Sequence, residues 1–313
     1  MDLPLADVPA PDATLEPDGF TVDAGAGDRI HFLDWGAATG DDRDPRPGVL
    51  AIHGLGGTAW IWAPIARRLG GANGPVRFIA MDLRGHGLSD APTEDGAYDL
   101  DVLAEDAIAV ADGSGLLGAG RPVLVGHGFG AIVAATAAAR LGDACAGVVL
   151  VDGGWESLEA ATGMEPDEFL RGLDEPPEVM ASPTAYLADR RAFDPTTWDA
   201  DQERAARATF VETHAGRVVP AARPHATEAS VRAMFTYDPL ATLPRISAPM
   251  LALAAADDET GSRMRALARA SDERTNAGRT PIRIVAFSRD GHNLMRYRPL
   301  EVSASILALT RPT

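Results

Sequence analysis

The segment best suited to chemistry is a glycine-rich turn between a strand-like run and a helix-like run. It reads Gly126, His127, Gly128, Phe129 and Gly130. The pattern matches G-x-S-x-G, a sharp turn that lifts a nucleophilic serine above a strand end at a helix N-terminus. Here the central residue is glycine, so the turn is present without its nucleophile. By itself such a turn can also bind phosphate or serve close packing, although the dinucleotide-binding spacing G-x-G-x-x-G is not met.

A second glycine-rich turn follows an earlier apolar strand. It runs from His53 to Gly57 and places Leu55 between glycines. Such a turn can aim a backbone N–H at a developing oxyanion, and we assign this role to Leu55. The second donor is the N–H of Phe129, at a helix start where the helix dipole also favours negative charge.

A carboxylate and a histidine follow the last two predicted strands. Asp257 and Asp258 come after Met250–Ala255, and His292 lies in the loop after Ile282–Phe287. Because parallel strands end at the same edge of a sheet, the acid can orient the imidazole and stabilise its protonated form. The chain order of nucleophile position, acid and histidine supports this assignment.

Alternating apolar and helical patterns predict the elements that position these residues. The predicted strands are Phe20–Asp23, Arg29–Trp35, Gly48–His53, Arg77–Asp82, Pro122–His127, Val148–Asp152, Met250–Ala255 and Ile282–Phe287. The predicted helices are Trp60–Leu69, Leu100–Leu117, Phe129–Leu141, Ser262–Ala270 and Leu300–Leu309. Strand–helix alternation with near-continuous apolar strands indicates an α/β fold with a mostly parallel sheet and helices on both faces.

The alternation stops between Trp155 and Pro239. Acids, prolines and short helical stretches (Pro166–Leu173, Asp201–His214 and Thr227–Phe235) occur there without a strand signal. We interpret this region as a helical cap over the carboxyl edge of the sheet. The predicted division is therefore a core at 1–154, a cap at 155–239 and the rest of the core at 240–313.

The chain resembles the capped α/β-hydrolases of the esterase, lactonase and carbon–carbon-bond hydrolase type. The resemblance extends from about Phe20 to Leu309 and includes the motifs Phe32–Gly36, His53–Gly57, Asp82–Ser89, Gly126–Gly130 and Gly291–Asn293. It implies an eight-stranded sheet with a nucleophile elbow at Gly128, His292 as the base and Asp258 as the acid. Asp257 is a near alternative for the acid, and Asp152 is a distant one. Asp82–Ser89 is assigned to architecture.

The departure from the family is Gly128, which removes covalent catalysis. Three explanations stay open: deliberate inactivation of a serine enzyme, a natural enzyme that uses the acid–histidine pair directly, or a ligand-binding pseudoenzyme. An aspartate nucleophile, as in epoxide hydrolases and haloalkane dehalogenases of this fold, is disfavoured. Gly56 stands where epoxide hydrolases usually have proline, and Phe129 stands where dehalogenases usually have tryptophan. The cap tyrosines Tyr186 and Tyr237 are the residues that could assist epoxide opening.

The expected activity is hydrolysis of an ester, lactone or related carbonyl substrate in an apolar pocket under the cap. His53, Trp60, His127 and Trp155 are the predicted substrate-binding residues. No cluster of side chains has metal-ligand spacing, so we expect no metal and no organic cofactor.

Composition limits the partners and the location. The 313 residues carry a formal charge of −17, and all 28 basic residues are arginine. This charge disfavours nucleic acid and anionic membranes as partners, and the arginine usage suggests a bacterial gene of high GC content. A single cysteine and an N-terminus without an apolar signal predict a cytoplasmic location. We expect a small-molecule substrate as the partner and a monomer or homodimer as the assembly.

Overall fold

An eight-stranded sheet forms the centre of the structure, a computed structural model that describes residues 3–25, 27–36, 48–173, 182–256 and 261–310. Its strands are β1 (Asp18–Asp23), β2 (Arg29–Asp34), β3 (Gly48–Ile52), β4 (Arg77–Met81), β5 (Val123–His127), β6 (Gly147–Val151), β9 (Met250–Ala254) and β10 (Arg283–Ala286). β7 (Phe210–Glu212) and β8 (Val218–Pro220) form a separate hairpin. The predicted sheet is confirmed, and each strand end lies within two residues of its predicted position.

Thirteen α-helices occur in the described part of the chain. They are α1 (Ala63–Leu69), α2 (Leu100–Gly113), α3 (Leu116–Ala119), α4 (Phe129–Leu141), α5 (Leu158–Thr162), α6 (Pro166–Leu173), α7 (Pro183–Phe193), α8 (Ala200–Ala208), α9 (Pro224–Phe235), α10 (Pro239–Thr242), α11 (Ser262–Asn276), α12 (Leu294–Tyr297) and α13 (Pro299–Thr310). Short 3₁₀ turns occur at Leu5–Asp7, Ala59–Trp62, Gly142–Ala144, Pro195–Thr197 and Leu243–Arg245.

The strand order is β1-β2-β4-β3-β5-β6-β9-β10. β1–β2 and β2–β4 pair antiparallel, and the other pairs are parallel. β3, β5, β6 and β9 are buried along their whole length, as expected for strands covered on both faces. Their carboxyl ends therefore meet at one edge, where the loops can bring side chains together.

Two apolar layers cover the sheet. Side chains of α2, α4 and α11 pack on one face, and those of α1, α12 and α13 pack on the other. α4 is rich in alanine, which lets it lie close to the sheet, and most of its residues are buried. This helix begins at the glycine-rich turn, so the packing that fixes α4 also fixes the turn.

The segment between β6 and β9 carries helices α5 to α10 and the β7–β8 hairpin. The predicted helix Asp201–His214 is too long, because α8 ends at Ala208 and the hairpin follows it. Phe210 and Val211 favour a strand, and Gly216, with a φ of 73°, allows the tight turn that follows. α7 was also not predicted. No helix among the described residues is both long and apolar enough to span a bilayer.

Candidate active site

Gly128 forms the sharp turn between β5 and α4. Its φ is 53° and its ψ is −115°, a conformation that glycine adopts easily and other residues adopt only with strain. The Gly128 N–H donates to the Val151 carbonyl at 3.0 Å, which attaches the turn to the end of β6. The end of β3 packs closely against the turn as well, because a Cβ at Gly130 would overlap the carbonyls of Ile52 and His53.

His292 and Asp152 form a hydrogen-bonded pair beside this turn. His292 Nδ1 lies 2.6 Å from Asp152 Oδ2, although the two residues are 140 positions apart. The Asp152 side chain is 2% exposed and that of His292 is 56% exposed, so a buried acid orients an accessible imidazole. The orienting carboxylate is therefore Asp152, which follows β6. Asp258 and Asp257, the acids favoured from the sequence, lie outside the described residues.

The other carboxylate oxygen of Asp152 is also bound. Its Oδ1 accepts the Ala255 N–H at 2.9 Å and contacts Arg263 Nη1 at 3.0 Å. Burial opposes ionisation, but the bonds to His292, Arg263 and Ala255 together hold the pKa of Asp152 below its usual range. Asp152 has a φ of 48° and is the one non-glycine residue with positive φ in the described part of the chain. Such strain is typical of functional positions.

The side-chain position of residue 128 faces His292. A Cβ built on Gly128 would lie 3.0 Å from His292 Nε2, 3.3 Å from its Cε1 and 3.9 Å from the Gly54 Cα. His292 Nδ1 serves Asp152, so Nε2 is the nitrogen left for chemistry. The structure thus brings the predicted nucleophile position and the predicted base together.

The two predicted oxyanion donors lie in the turns that follow β3 and β5. Leu55 lies in the turn after β3, and Phe129 is the first residue of α4. Neither backbone N–H donates to an acceptor among the residues that the structure describes. The two turns are close together, because the Gly54 Cα lies 3.9 Å from the position of a Cβ on Gly128. Two free amides at this place can bind a carbonyl oxygen that gains negative charge.

The comparisons with known proteins agree with this geometry. The sequence profile of the alpha/beta hydrolase family matches residues 49–305. The chain belongs to this family. A putative carbamate hydrolase of Variovorax paradoxus is 32% identical over 234 residues, which are 73% of this chain and 78% of that protein. The predicted membership of the α/β-hydrolase superfamily is confirmed, and several of the relatives are named as hydrolases.

Two further similarities differ in extent. Epoxide hydrolase 3 of Xenopus tropicalis is 36% identical over 115 residues, which are 37% of this chain and 28% of that protein. Several of the curated relatives are matched over only 27% to 35% of their length. A solved structure of E-2-(acetamidomethylene)succinate hydrolase superposes with a TM-score of 0.73 at 24% identity, covering 94% of this chain and 98% of that one. This last similarity shows the fold.

His53, which the sequence predicts to contact substrate, supports the loops of the site instead. It is fully buried, accepts the Leu83 N–H at Nε2 (3.0 Å) and donates from Nδ1 to the Gly54 carbonyl (2.7 Å). Both ring nitrogens are used, so none is left for a ligand. His86 acts similarly, because it accepts the Gly56 N–H at 3.1 Å and thereby shapes the Leu55 turn. Burial lowers the pKa of His53, and burial with the nearby His53 lowers that of His86 to about 4.

His127 lies under the base. Its ring centroid is 4.3 Å from that of His292, and its Nε2 donates to the His292 carbonyl at 3.1 Å. Burial and the neighbouring His292 lower the pKa of His127 to about 3. The ring is therefore neutral and 4% exposed, and it positions the loop that carries His292. Among the described residues, no partner binds its Nδ1.

The two predicted tryptophans lie in different surroundings. Trp155 is 1% exposed and belongs to the core, with the Arg263 guanidinium 5.4 Å from its ring centroid. Trp60 is half-buried, packs edge-on against Trp35 and has Arg204 of α8 at 4.1 Å from its ring centroid. Trp155 thus supports the acid loop from within, which corrects its predicted contact with substrate. Trp60 joins the core to the inserted helices.

No group of three or more His, Cys, Asp or Glu side chains with metal-binding geometry occurs within the described ranges.

The supporting partners of the acid, Arg263 and Glu156, were not predicted from the sequence; they pair with each other at 2.8 Å. The signal that points to Asp152 is local. Two glycines follow it at the end of a buried strand, and a Cβ on Gly153 would come within 2.8 Å of the Gly128 Cα. A glycine is needed there because the acid loop and the nucleophile turn touch.

Proposed function

We propose that this protein hydrolyses a carboxylic ester, a lactone or a related carbonyl compound, with water as the direct nucleophile and the Asp152–His292 pair as the base. One observation carries the proposal. A Cβ on Gly128 would lie 3.0 Å from His292 Nε2, so in the absence of that side chain a water molecule packed against the Gly128 Cα can approach Nε2 to hydrogen-bonding distance. Glycine leaves this place open, whereas any larger residue fills it.

The reaction follows from the arrangement. His292 Nε2 takes a proton from the water as its oxygen attacks the carbonyl carbon, and Asp152 stabilises the imidazolium that forms. The Leu55 and Phe129 amides bind the resulting oxyanion. His292 then gives the proton to the leaving group as the tetrahedral intermediate collapses. General-base catalysis contributes about 10²- to 10⁴-fold and an oxyanion donor about 10²- to 10³-fold, so slow but measurable turnover is expected.

The names of the relatives support a carbonyl substrate. One is described as a carbamate hydrolase and another as a 2-(acetamidomethylene)succinate hydrolase, and a carbamate and an acetamido group each contain an acyl carbon. Epoxide hydrolases are also among the relatives. The two tyrosines considered for epoxide opening are engaged elsewhere. The Tyr237 hydroxyl donates to the Gly154 carbonyl at 2.8 Å, and that of Tyr186 bonds to Thr209 at 3.0 Å.

The test compares hydrolysis of p-nitrophenyl esters, simple lactones and anilides by the unchanged protein and by His292→Ala. We expect slow turnover above the buffer rate and its loss in the variant, with nearly unchanged stability because His292 is more than half exposed. Intact-mass spectra during turnover should contain no acyl adduct. His225→Ala, at an exposed histidine beside Tyr98, is the matched control and should retain full activity.

Two results would contradict the proposal. Turnover that survives His292→Ala would place the chemistry elsewhere. A folded protein that binds these compounds but never turns them over would favour a ligand-binding function in place of an enzyme.

A further inference from the structure

We propose that His86 is a positioning residue for the oxyanion site, because it holds the turn that carries the Leu55 N–H in the orientation that the reaction requires. This inference rests on the proposed hydrolytic function. It gives the loop Asp82–Ser89, which the sequence assigns to architecture, a share in that function. The His86 side chain is buried, so it acts through the backbone of the neighbouring turn.

The turn that carries Leu55 has few constraints of its own. Its four residues, 54–57, are closed by one internal hydrogen bond, from the Gly57 N–H to the Gly54 carbonyl at 3.0 Å. Three of the four are glycines, the residue type that loses the most conformational freedom on folding. The direction of the Leu55 N–H therefore depends on contacts from outside the turn.

The loop Asp82–Ser89 supplies such contacts. Three hydrogen bonds join it to the segment that contains the turn: from the Gly56 N–H to His86 Nε2 (3.1 Å), from the Leu83 N–H to His53 Nε2 (3.0 Å) and from the Ala59 N–H to Asp82 Oδ1 (2.7 Å). The first is made inside the turn, at the residue after Leu55. The other two lie on either side of the turn and hold its ends, so His86 acts closest to the donor.

The surroundings of His86 fix its tautomer. Its Nδ1 donates to the Arg84 carbonyl at 3.1 Å, which leaves Nε2 as the acceptor. The Arg84 guanidinium is held in turn by both carboxylate oxygens of Asp106, at 2.7 and 2.6 Å. Burial lowers the pKa of His86 to about 4, so the ring is neutral at pH 7 and its Nε2 can accept the Gly56 N–H.

The orientation of the Leu55 N–H affects the rate because an oxyanion donor must point at the place where the charge develops. Removal of such a donor costs about 10²- to 10³-fold, and a displacement of about 1 Å costs on the order of 10²-fold. Loss of the His86 acceptor releases the turn but keeps the Leu55 N–H, so we expect a loss of about 10- to 100-fold. The donor acts mainly in the transition state, so KM should change less than kcat.

The experiment measures kcat and KM for p-nitrophenyl butyrate with the unchanged protein, His86→Phe and His86→Gln. His86→Phe keeps an aromatic ring without the acceptor, so kcat should fall by about 10- to 100-fold while KM stays nearly the same. His86→Gln keeps an acceptor and should retain most of kcat. Hydrogen exchange of the amides at 54–57, followed by mass spectrometry, should be faster in His86→Phe than in His86→Gln.

Leu116→Ala is the stability control. Leu116 is buried and packs against Gly48, the first residue of β3, so it lies at the opposite end of this strand from the turn. Its truncation leaves a cavity and lowers stability, but kcat should equal that of the unchanged protein. The control thereby separates a displaced donor from a general loss of stability.

The outcomes separate this inference from the proposed function. A kcat of His86→Phe equal to that of the unchanged protein, or equal losses in His86→Phe and His86→Gln, overturns the inference alone. If the unchanged protein has no turnover, the proposed function fails, and the same substitutions in Gly128→Ser protein decide the inference; absence of turnover there overturns both. If His86→Phe does not fold, exchange in the unchanged protein decides, because a Gly56 N–H that exchanges as fast as an exposed amide overturns the inference.

Discussion

At position 128, glycine and serine differ by one hydroxymethyl group, yet the structure around it is complete. We predict that Gly128→Ser raises turnover of aryl esters by several orders of magnitude. The added hydroxyl lies next to His292 Nε2, and removal of a triad serine typically costs on the order of 10⁶-fold in turnover. The measurement is steady-state hydrolysis of p-nitrophenyl acetate, together with an acyl adduct on residue 128 in mass spectra.

The same variant should not gain stability. A serine at a φ of 53° introduces backbone strain of about 1–3 kcal/mol, which urea unfolding can detect. Gly128→Ala is the matched control, because it adds the same Cβ and the same strain without the hydroxyl. A folded Gly128→Ser protein that stays inactive on esters, lactones and thioesters would exclude the serine-hydrolase lineage. Gly128→Asp, assayed on epoxides and haloalkanes, would then test the aspartate branch.

The identity of the acid gives a second prediction at the residue scale. In the Gly128→Ser background, Asp152→Asn should lower turnover by about 10⁴-fold, because an amide cannot hold the imidazole tautomer that a triad needs. Asp258→Asn should change turnover little, since Asp152 already occupies Nδ1 of His292. Parallel assays of the two variants decide the matter. A large effect of Asp258→Asn with a small effect of Asp152→Asn would reverse the assignment.

The residues of the site were predictable to different degrees. Gly128 and His292 follow from motif and chain order, and the structure brings them within contact. The acid was harder to predict, because Asp152 and Asp258 both follow buried strands that end at the same edge. The role of His53 was not readable from sequence. It depends on the Leu83 N–H, which comes from a different strand end.

At the scale of elements, the glycine-rich turn is held in place because the first residues of α4 pack closely against the end of β3. We predict that Gly130→Ala lowers the free energy of unfolding by about 1–3 kcal/mol or more, since its Cβ would overlap the carbonyls of Ile52 and His53. Urea denaturation measures the change. The matched control is Gly118→Ala in α3, where a Cβ meets nothing within 4 Å, so stability should be equal or higher. Equal stability of both variants would show that the turn can open.

The core elements were predictable and the inserted ones only in part. A strand buried on both faces is a continuous apolar run, so its ends are visible where polar residues and glycines begin. The β7–β8 hairpin was missed because strands of three residues are too short to show an alternating pattern. For the same reason, residues 210–212 were assigned to the end of the predicted helix Asp201–His214.

At the scale of the whole molecule, the buried histidines should make stability depend on pH. His53, His86 and His127 are neutral in the folded state, with the pKa of His86 lowered to about 4 and that of His127 to about 3. The unfolded chain binds protons below about pH 6.5, so the folded state loses stability as pH falls from 6.5 toward 4. His86 and His127 each contribute up to about 1.4 kcal/mol per pH unit in this window.

Urea unfolding at several pH values measures this slope. His86→Gln keeps an acceptor for the Gly56 N–H and removes the titrating ring, so the slope should decrease by about one proton. His225→Gln, at an exposed histidine, is the control and should leave the slope as it is. A free energy of unfolding that does not change between pH 6.5 and pH 4.5 would contradict the neutral state of these rings.

The position of the acid directly after β6 also affects how the site forms during synthesis. The elbow and Asp152 belong to one β5–α4–β6 unit, whose contacts are local in sequence and can form early. His292 lies 140 residues beyond its carboxylate partner, after the whole inserted segment. The elbow and the acid are therefore encoded well before the base along the chain. A chain shortened before His292 should therefore lack the proposed hydrolytic activity.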